Sequence, residues 1–261
     1  KTLKRYGAGP VWVVCPFLAY GRQDRTIDDR LTSIGLDDYA ALLKSAGAEG
    51  ISTIELHSDN GMKLLQTHFG KDATFNLDPT DIYLKYLRKN ISPDLSVGGP
   101  DAGANVRAEQ LSSSLGAEKF CIGKTHTDVN QTKITDFDGT VNNTTITVDD
   151  MIDSGGTILN SQLELSSRGA KDRMVLACHG IFSQGSLKRL FEAKTENEDK
   201  EYLLSKLVVT NSIDIGNKLQ SLKSQYGKAA VDKRVKQLNV GPLVFSHIKN
   251  QILKHPKMKS V

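Results

Sequence analysis

In the run Asp149-Asp150-Met151-Ile152-Asp153-Ser154-Gly155-Gly156-Thr157, two adjacent carboxylates are followed by a third, then by a serine, two glycines and a threonine. That order suits two kinds of chemistry at once. Backbone N–H groups at the start of a helix, with glycines that let an oxyanion approach, make a phosphate cradle. Asp149 and Asp150 would repel a phosphate, but they suit the hydroxyls of a sugar or a divalent cation beside it. A phosphate cradle bordered by acid describes a pocket for a sugar phosphate. The plainer account is a glycine turn after a strand, with an aspartate capping the next helix. Three carboxylates so close to Ser-Gly-Gly-Thr are more than such a turn needs.

Other polar groups fall at the ends of apolar runs. Arg22-Gln23-Asp24-Arg25 follows Phe17 and Tyr20 in a loop after Val11–Cys15. Guanidinium forks suit phosphates and the aromatics could flank a base; a solvated loop with local ion pairs is the alternative. His57, with Asp59 close behind it, ends the run Ile51–Leu56. It is placed either to orient a metal–nucleotide complex or to hydrogen-bond within the fold. Asp101, in Gly99-Pro100-Asp101-Ala102-Gly103-Ala104, sits at another strand-to-helix turn as ligand or cap.

The elements that position these groups follow from the hydrophobic pattern. Thr145–Val148 is a β-branched run that reads as a buried strand. Ile158, Leu159, Leu163 and Leu165 fit the apolar stripe of a helix. Strand, tight loop, helix is where open α/β sheets bind ligands, outside the carboxyl ends of the strands. The same series recurs along the chain. Strands are expected at Val11–Cys15, Ile51–Leu56, Phe120–Gly123, Met174–Cys178 and Leu207–Val209, and helices over Ser33–Gly47, Leu64–Phe69 and Pro79–Lys89. Thr125–Asn143 is a long polar run, functional or disordered, with a hairpin expected in part of it. Val235–Leu253 reads as an amphipathic close, followed by the basic tail Lys254–Lys259. A boundary between two domains is placed at 78–95, where a new strand–loop–helix series starts.

The 261 residues suffice for one large or two modest α/β domains. Hydrophobic residues are 38% and charged residues 25%, an ordinary composition for a protein in water. The net charge of +4 is mild and no basic run is interleaved with aromatics, which argues against a nucleic-acid partner. Cys15, Cys121 and Cys178 are far apart and lack metal-ligand spacing. With no apolar stretch of membrane-span length and no signal peptide, the expectation is a cytoplasmic protein without a membrane partner. The chain opens on Lys1 rather than Met, and further residues are expected in front of it.

Taken in order, Arg22-Gln23-Asp24-Arg25, Leu56-His57-Ser58, Pro100-Asp101-Ala102-Gly103, Val148–Thr157, His179-Gly180-Ile181-Phe182-Ser183 and Val208-Val209-Thr210-Asn211-Ser212 carry a family resemblance. The chain resembles the ribose-phosphate pyrophosphokinases, or phosphoribosyl pyrophosphate synthases, from Val11 to Leu253. The motif Asp149–Thr157 alone is shared with phosphoribosyltransferases. The Arg-Gln-Asp-Arg loop and the strand ending in His57 favour the synthase.

The resemblance implies an α/β fold of two phosphoribosyltransferase-type domains, each a mainly parallel sheet flanked by helices, with the N-terminal part of the first domain missing. Residues 1–85 would form the first domain and 86–228 the second, with the ribose 5-phosphate loop; 229–261 would be a C-terminal helix that packs back on the first. It implies transfer of a pyrophosphoryl group from ATP to the C1 hydroxyl of ribose 5-phosphate, with AMP leaving and Mg²⁺ required. The site would lie between domains of a homo-oligomer, a hexamer built from dimers. Arg22, Gln23, Asp24 and His57 would contact ATP, and His57 and Asp101 would hold its metal complex. Asp149 and Asp150 would bind the ribose hydroxyls with a second metal, and Asp153, Ser154, Gly155, Gly156 and Thr157 the 5-phosphate. Lys124 matches the catalytic lysine of a flexible loop, and His126 stands as a second catalytic group where the family has an arginine. A histidine is only partly charged near neutral pH. The family's adenine-contacting Phe-x-Asp-x-Glu loop is not found in this chain. Two rivals stand beside the synthase: a phosphoribosyltransferase using phosphoribosyl pyrophosphate, and a non-catalytic regulatory subunit of a synthase.

Overall fold

Short β-branched and aliphatic runs, each followed by a polar turn and an amphipathic stretch, fold into alternating strands and helices. The computed structural model describes residues 1–26, 32–90, 94–128, 131–195 and 200–256; the side chains of 90 and 124–135 fall outside that description. The chain divides into two units, Lys1–Pro79 with Val240–Val261, and Thr80–Asn239.

The first unit opens with one helical turn, α1 (Thr2–Arg5), and continues through β1 (Val11–Cys15), α2 (Gly35–Ser45), β2 (Ala48–Ile54), α3 (Asp59–Phe69) and β3 (Thr74–Leu77). Its strands pair in parallel in the order β1-β2-β3. Leu36 and Ala40 of α2, Ile51 of β2, and Leu65 and Phe69 of α3 share one core. Asp37 and Asp38 in the first turn of α2 and Lys44 in its last complement the helix dipole. Ser58 caps α3, its Oγ accepting from the N–H of Gly61 at 3.0 Å.

The second unit runs α4 (Thr80–Asn90), β4 (Leu95–Gly99), α5 (Asn105–Leu115), β5 (Glu118–Asp128), β6 (Gln131–Gly139), β7 (Thr144–Ile152), α6 (Gly156–Ser167), β8 (Asp172–Gly180), α7 (Ser186–Glu192), β9 (Lys206–Thr210), α8 (Gly216–Tyr226), α9 (Lys228–Arg234) and β10 (Val235–Leu238). Among the described residues its strands form a seven-stranded sheet in the order β10-β9-β8-β7-β4-β5-β6. Every pairing is parallel except that of β5 with β6.

Alternate residues of β7 and β8 enter different cores, as strand geometry requires. Ile146, Val148, Met174 and Leu176 pack with Tyr83, Leu87 and Leu111 of α4 and α5. Val175 and Ala177 pack with Ile158, Leu190 and Leu222 of α6, α7 and α8. Covering both faces is what makes these strands near-continuous apolar runs. β4 and β7 are adjacent, yet the chain leaves them in opposite directions across the sheet, toward β5 and toward β8. Such a reversal opens a crevice at the carboxyl ends of the two strands. The α/β class with mainly parallel sheets is as expected.

Two local expectations are corrected. The hairpin expected in part of the polar run takes up more of it than expected: β5 and β6 pair with Phe120 opposite Gly139 and Lys124 opposite Ile134. The backbone of Lys124 lies in β5. Phe137 supplies the anchor, stacked on Phe120 at 6.0 Å and covered by the Arg168 guanidinium at 3.8 Å. Second, the C-terminal close is not helical from its start. Val235–Leu238 pairs with β9, Val235 facing Leu207. The open edge of β9 overrides an apolar spacing that also fits a helix. Pro242, in the first turn of α10 (Gly241–His247), then starts the helix, which runs into a π-helical turn at Ile248–Ile252.

This last segment belongs to the first unit. His247 is buried, its Nε2 lying 2.7 Å from Ser52 Oγ, which in turn accepts from Trp12 Nε1 at 2.9 Å. The His247 ring lies 4.9 Å from that of Phe75, and the His255 ring 5.2 Å from Trp12. Among the described residues no helix is long and apolar enough to cross a membrane.

Candidate active site

In the second unit, β7 delivers Asp149 and Asp150 at its carboxyl end, and β4 delivers Asp101 beside it. Asp150 is 5% exposed and Asp149 half-buried. Asp149 Oδ1 accepts from the N–H of Asp150 at 2.9 Å, and Asp150 Oδ1 from that of Met151 at 2.9 Å. Asp101 also caps the short turn after β4, accepting from Gly103 N–H at 3.1 Å. Burial, with the charge and carboxyl of Asp150 next and the charge of Asp101 after it, pushes the Asp149 carboxyl up to about 8. The three close-set carboxylates thus leave a local charge deficit among the described residues.

That deficit, together with hard oxygen donors, fits Mg²⁺. Among the described residues no three His, Cys, Asp or Glu side chains converge to enclose a metal. The arrangement fits an ion that keeps water or substrate oxygens and takes only one or two carboxylates from the protein.

The turn after β7 has its carbonyls committed inward. Ile152 O accepts from the N–H groups of Ile181 (2.9 Å) and Phe182 (3.0 Å). Asp153 O accepts from Ser186 Oγ at 2.6 Å, Ser154 O from Arg189 Nη2 at 2.9 Å, and Gly155 O from Leu159 N–H at 2.9 Å. The first N–H groups of α6 have no intrahelical acceptor, and Ser154, Gly156 and Thr157 beside them are exposed. Gly155 takes φ +80°, and a Cβ there would lie 3.2 Å from Leu190. At Gly156 a Cβ would meet no protein atom within 4 Å. The turn is therefore closed on its carbonyl side, where Gly155 is tight, and open at Gly156. It can receive an anion.

In the first unit, Arg22, Gln23 and His57 are exposed at the carboxyl ends of β1 and β2. Asp24 is 2% exposed. Its carboxylate accepts from Arg25 Nε (3.0 Å) and Nη2 (3.3 Å) and from Ser58 Oγ, and its carbonyl accepts from Asn60 Nδ2. Burial raises its pKa, but the hydrogen bonds from Arg25 and Ser58 and the Arg25 charge outweigh that and hold the carboxyl below its usual range. The backbone of Lys124 and His126 lies in β5, and their side chains are outside the described residues. Sequence reasoning missed Ser186 and Arg189. They reach Asp153 and Ser154 from 33 and 35 residues away, and no local pattern announces such a contact.

No family model matches the chain. The ribose-phosphate pyrophosphokinase of Burkholderia pseudomallei is 33% identical over 215 residues, which cover 82% of this chain and 63% of that protein. The ribose-phosphate pyrophosphokinase of Ralstonia nicotianae is 30% identical over 244 residues, 93% of this chain and 70% of its own length. This chain belongs to the ribose-phosphate pyrophosphokinase family. It spans less than two thirds of the Burkholderia protein. The crystal structure of phosphoribosylpyrophosphate synthetase from Mycobacterium smegmatis matches with a TM-score of 0.76 at 29% identity, covering 97% of this chain and 75% of that one. The acidic pair, the anion-ready turn and the arginine-bearing loop described above all belong to this pyrophosphokinase-family chain.

Proposed function

We propose that the protein transfers the pyrophosphoryl group of ATP to the C1 hydroxyl of ribose 5-phosphate. The observation that carries this is the turn Asp153–Thr157, open to an anion at Gly156 and bordered by the acidic pair Asp149 and Asp150. The 5-phosphate occupies the turn, held by N–H groups and by the hydroxyls of Ser154 and Thr157. Asp149 and Asp150 hold the ribose hydroxyls. Arg22, Gln23 and His57 of the first unit bind ATP, with Asp24 bracing their loop through Arg25 and Ser58.

The C1 oxygen attacks the β-phosphorus, the bond from that phosphorus to the α,β-bridging oxygen breaks, AMP departs with that oxygen, and the hydroxyl proton passes to water. Such a step asks for in-line positioning and for cations where negative charge develops. Lys124 supplies one and His126 a second. His57 and Asp101 are the ligands proposed for the Mg²⁺ of ATP, and Asp149 and Asp150 those proposed for a second Mg²⁺; the ions when bound would neutralise phosphate charge. A homo-oligomer built from dimers is part of the same proposal.

The test is an AMP-formation assay with ATP, ribose 5-phosphate and Mg²⁺ each omitted in turn. Product that needs all three supports the proposal. Activity that survives without ATP, on phosphoribosyl pyrophosphate and a base, would establish a phosphoribosyltransferase instead. A protein that makes no AMP yet binds an active synthase would be a regulatory subunit.

A further inference from the structure

We propose that Ser186 and Arg189 are positioning residues for the phosphate of the substrate: together they form a clamp that holds the carbonyls of Asp153 and Ser154 turned toward α7, so that the turn shows an anion only donors. The proposal rests on the ribose 5-phosphate reading of the turn.

A phosphate needs donors around it rather than acceptors. A carbonyl oxygen carries partial negative charge, and one flipped peptide in the turn would aim it at the anion. Glycines make such a flip easy, because Gly155 and Gly156 tolerate many backbone conformations. Something must bias the turn. Gly155 O is held by the first turn of α6 and Ile152 O by the turn after β8. Asp153 O and Ser154 O lie between them, and they accept from the side chains of Ser186 and Arg189 respectively. Removing either donor takes away one tie on the peptides that lead into the glycines.

The clamp is itself rigidly mounted. Ser186 is fully buried, and Leu187 and Leu190 anchor α7 in the core that also holds Ile152 and Ile158. Arg189 spends a second N–H, from Nη1, on the carbonyl of Gln184. The connection from β8 to α7 is strained: Phe182 (φ 51°) and Gln184 (φ 49°) hold left-handed conformations beside Gly185 (φ 72°). Strain of this kind persists where surrounding structure over-determines it, and it clusters at functional sites. The conformation bends the chain so that α7 starts against the anion turn. The Arg189 bonds described go to carbonyls, and they hold the guanidinium charge one residue from the glycines. That charge favours a dianion in the turn.

Arg189→Ala, Arg189→Lys and Ser186→Ala test the clamp, with binding of ribose 5-phosphate and of unphosphorylated ribose measured by calorimetry, and AMP formation by steady-state kinetics. Supporting groups of this type typically matter about 10- to 100-fold. The expected result for Arg189→Ala is a rise of that size in the KM and Kd for ribose 5-phosphate, with KM for ATP and the weak binding of ribose unchanged. Arg189→Lys, which keeps one donor and the charge, recovers part of it. Because Arg189 is exposed, added guanidinium ion restores binding to Arg189→Ala. Ser186→Ala gives a smaller shift of the same kind. Equal loss for ribose and ribose 5-phosphate, or no rescue by guanidinium, would overturn the clamp. Should Arg189→Ala fail to fold, the KM split of Arg189→Lys decides in the same way. A wild-type protein that does not bind ribose 5-phosphate would instead remove the functional reading beneath it.

Discussion

Ser58 and Asp24 are joined by a hydrogen bond that spans two loops of the first unit, and the same Ser58 oxygen that donates to Asp24 accepts from Gly61 N–H. One hydroxyl thus caps α3 and ties down the arginine-bearing loop. Ser58→Ala is expected to cost about 1–2 kcal/mol in urea unfolding, as lost caps and hydrogen bonds do. It is also expected to raise KM for ATP while leaving KM for ribose 5-phosphate unchanged. Parallel rises in both constants would contradict the brace assigned to Asp24.

The acidic pair sets a pH dependence. The Asp149 carboxyl moves from an ordinary 3.8 to about 8 in the fold. A raised carboxyl binds an extra proton in the folded state. Its contribution to stability is full below the unfolded value and is lost as pH rises through the folded one. Without divalent cations, Tm is expected to fall across that window, and to fall less in Asp149→Asn. Mg²⁺ restores the wild type near the upper end and has little effect on the variant. Thermal scans with and without the ion check this; identical slopes for the two proteins would refute it.

The two glycines of the turn are predicted to respond differently. Gly155→Ala forces a side chain into φ +80° and against Leu190, so about 1–3 kcal/mol of stability is lost. Gly156→Ala places its methyl where no protein atom lies. It is expected to unfold like the wild type but to bind ribose 5-phosphate at least about tenfold more weakly, since the methyl stands where the anion must approach. Calorimetry on the Gly156→Ala protein that found unchanged affinity would move the phosphate elsewhere.

Lys124→Ala is expected to lower turnover by about a hundredfold or more, the usual effect of removing one group that stabilises developing charge. Binding of ribose 5-phosphate, measured separately, should stay near the wild-type value. Retention of full rate would remove Lys124 from the chemistry.

Much of this was legible beforehand because the relevant signals are local. Thr145–Val148 is β-branched, Asp149–Thr157 follows without interruption, and the strand-to-helix turn they form is built by neighbours in sequence. Ile158 and Leu165 are buried as the helical stripe requires, although Leu163 is 40% exposed. What escaped is decided at long range. Val235–Leu238 becomes a strand because β9 offers an open edge. Asp24 is buried because Ser58 and Arg25 receive its carboxylate. Ser186 and Arg189 matter through a loop more than thirty residues earlier. Spacing in one dimension carries no trace of such partners.

The stitching of Val240–Val261 onto the first unit also has a temporal consequence. Ser52 and Trp12 emerge early from a ribosome, whereas His247 and His255 emerge after the whole second unit. During synthesis the unit made first is therefore the one completed last. Its Trp12 and Ser52 surface stays uncovered until Val240–Val261 has been made, and a product stalled or clipped before that segment would present the bare sheet to chaperones and proteases.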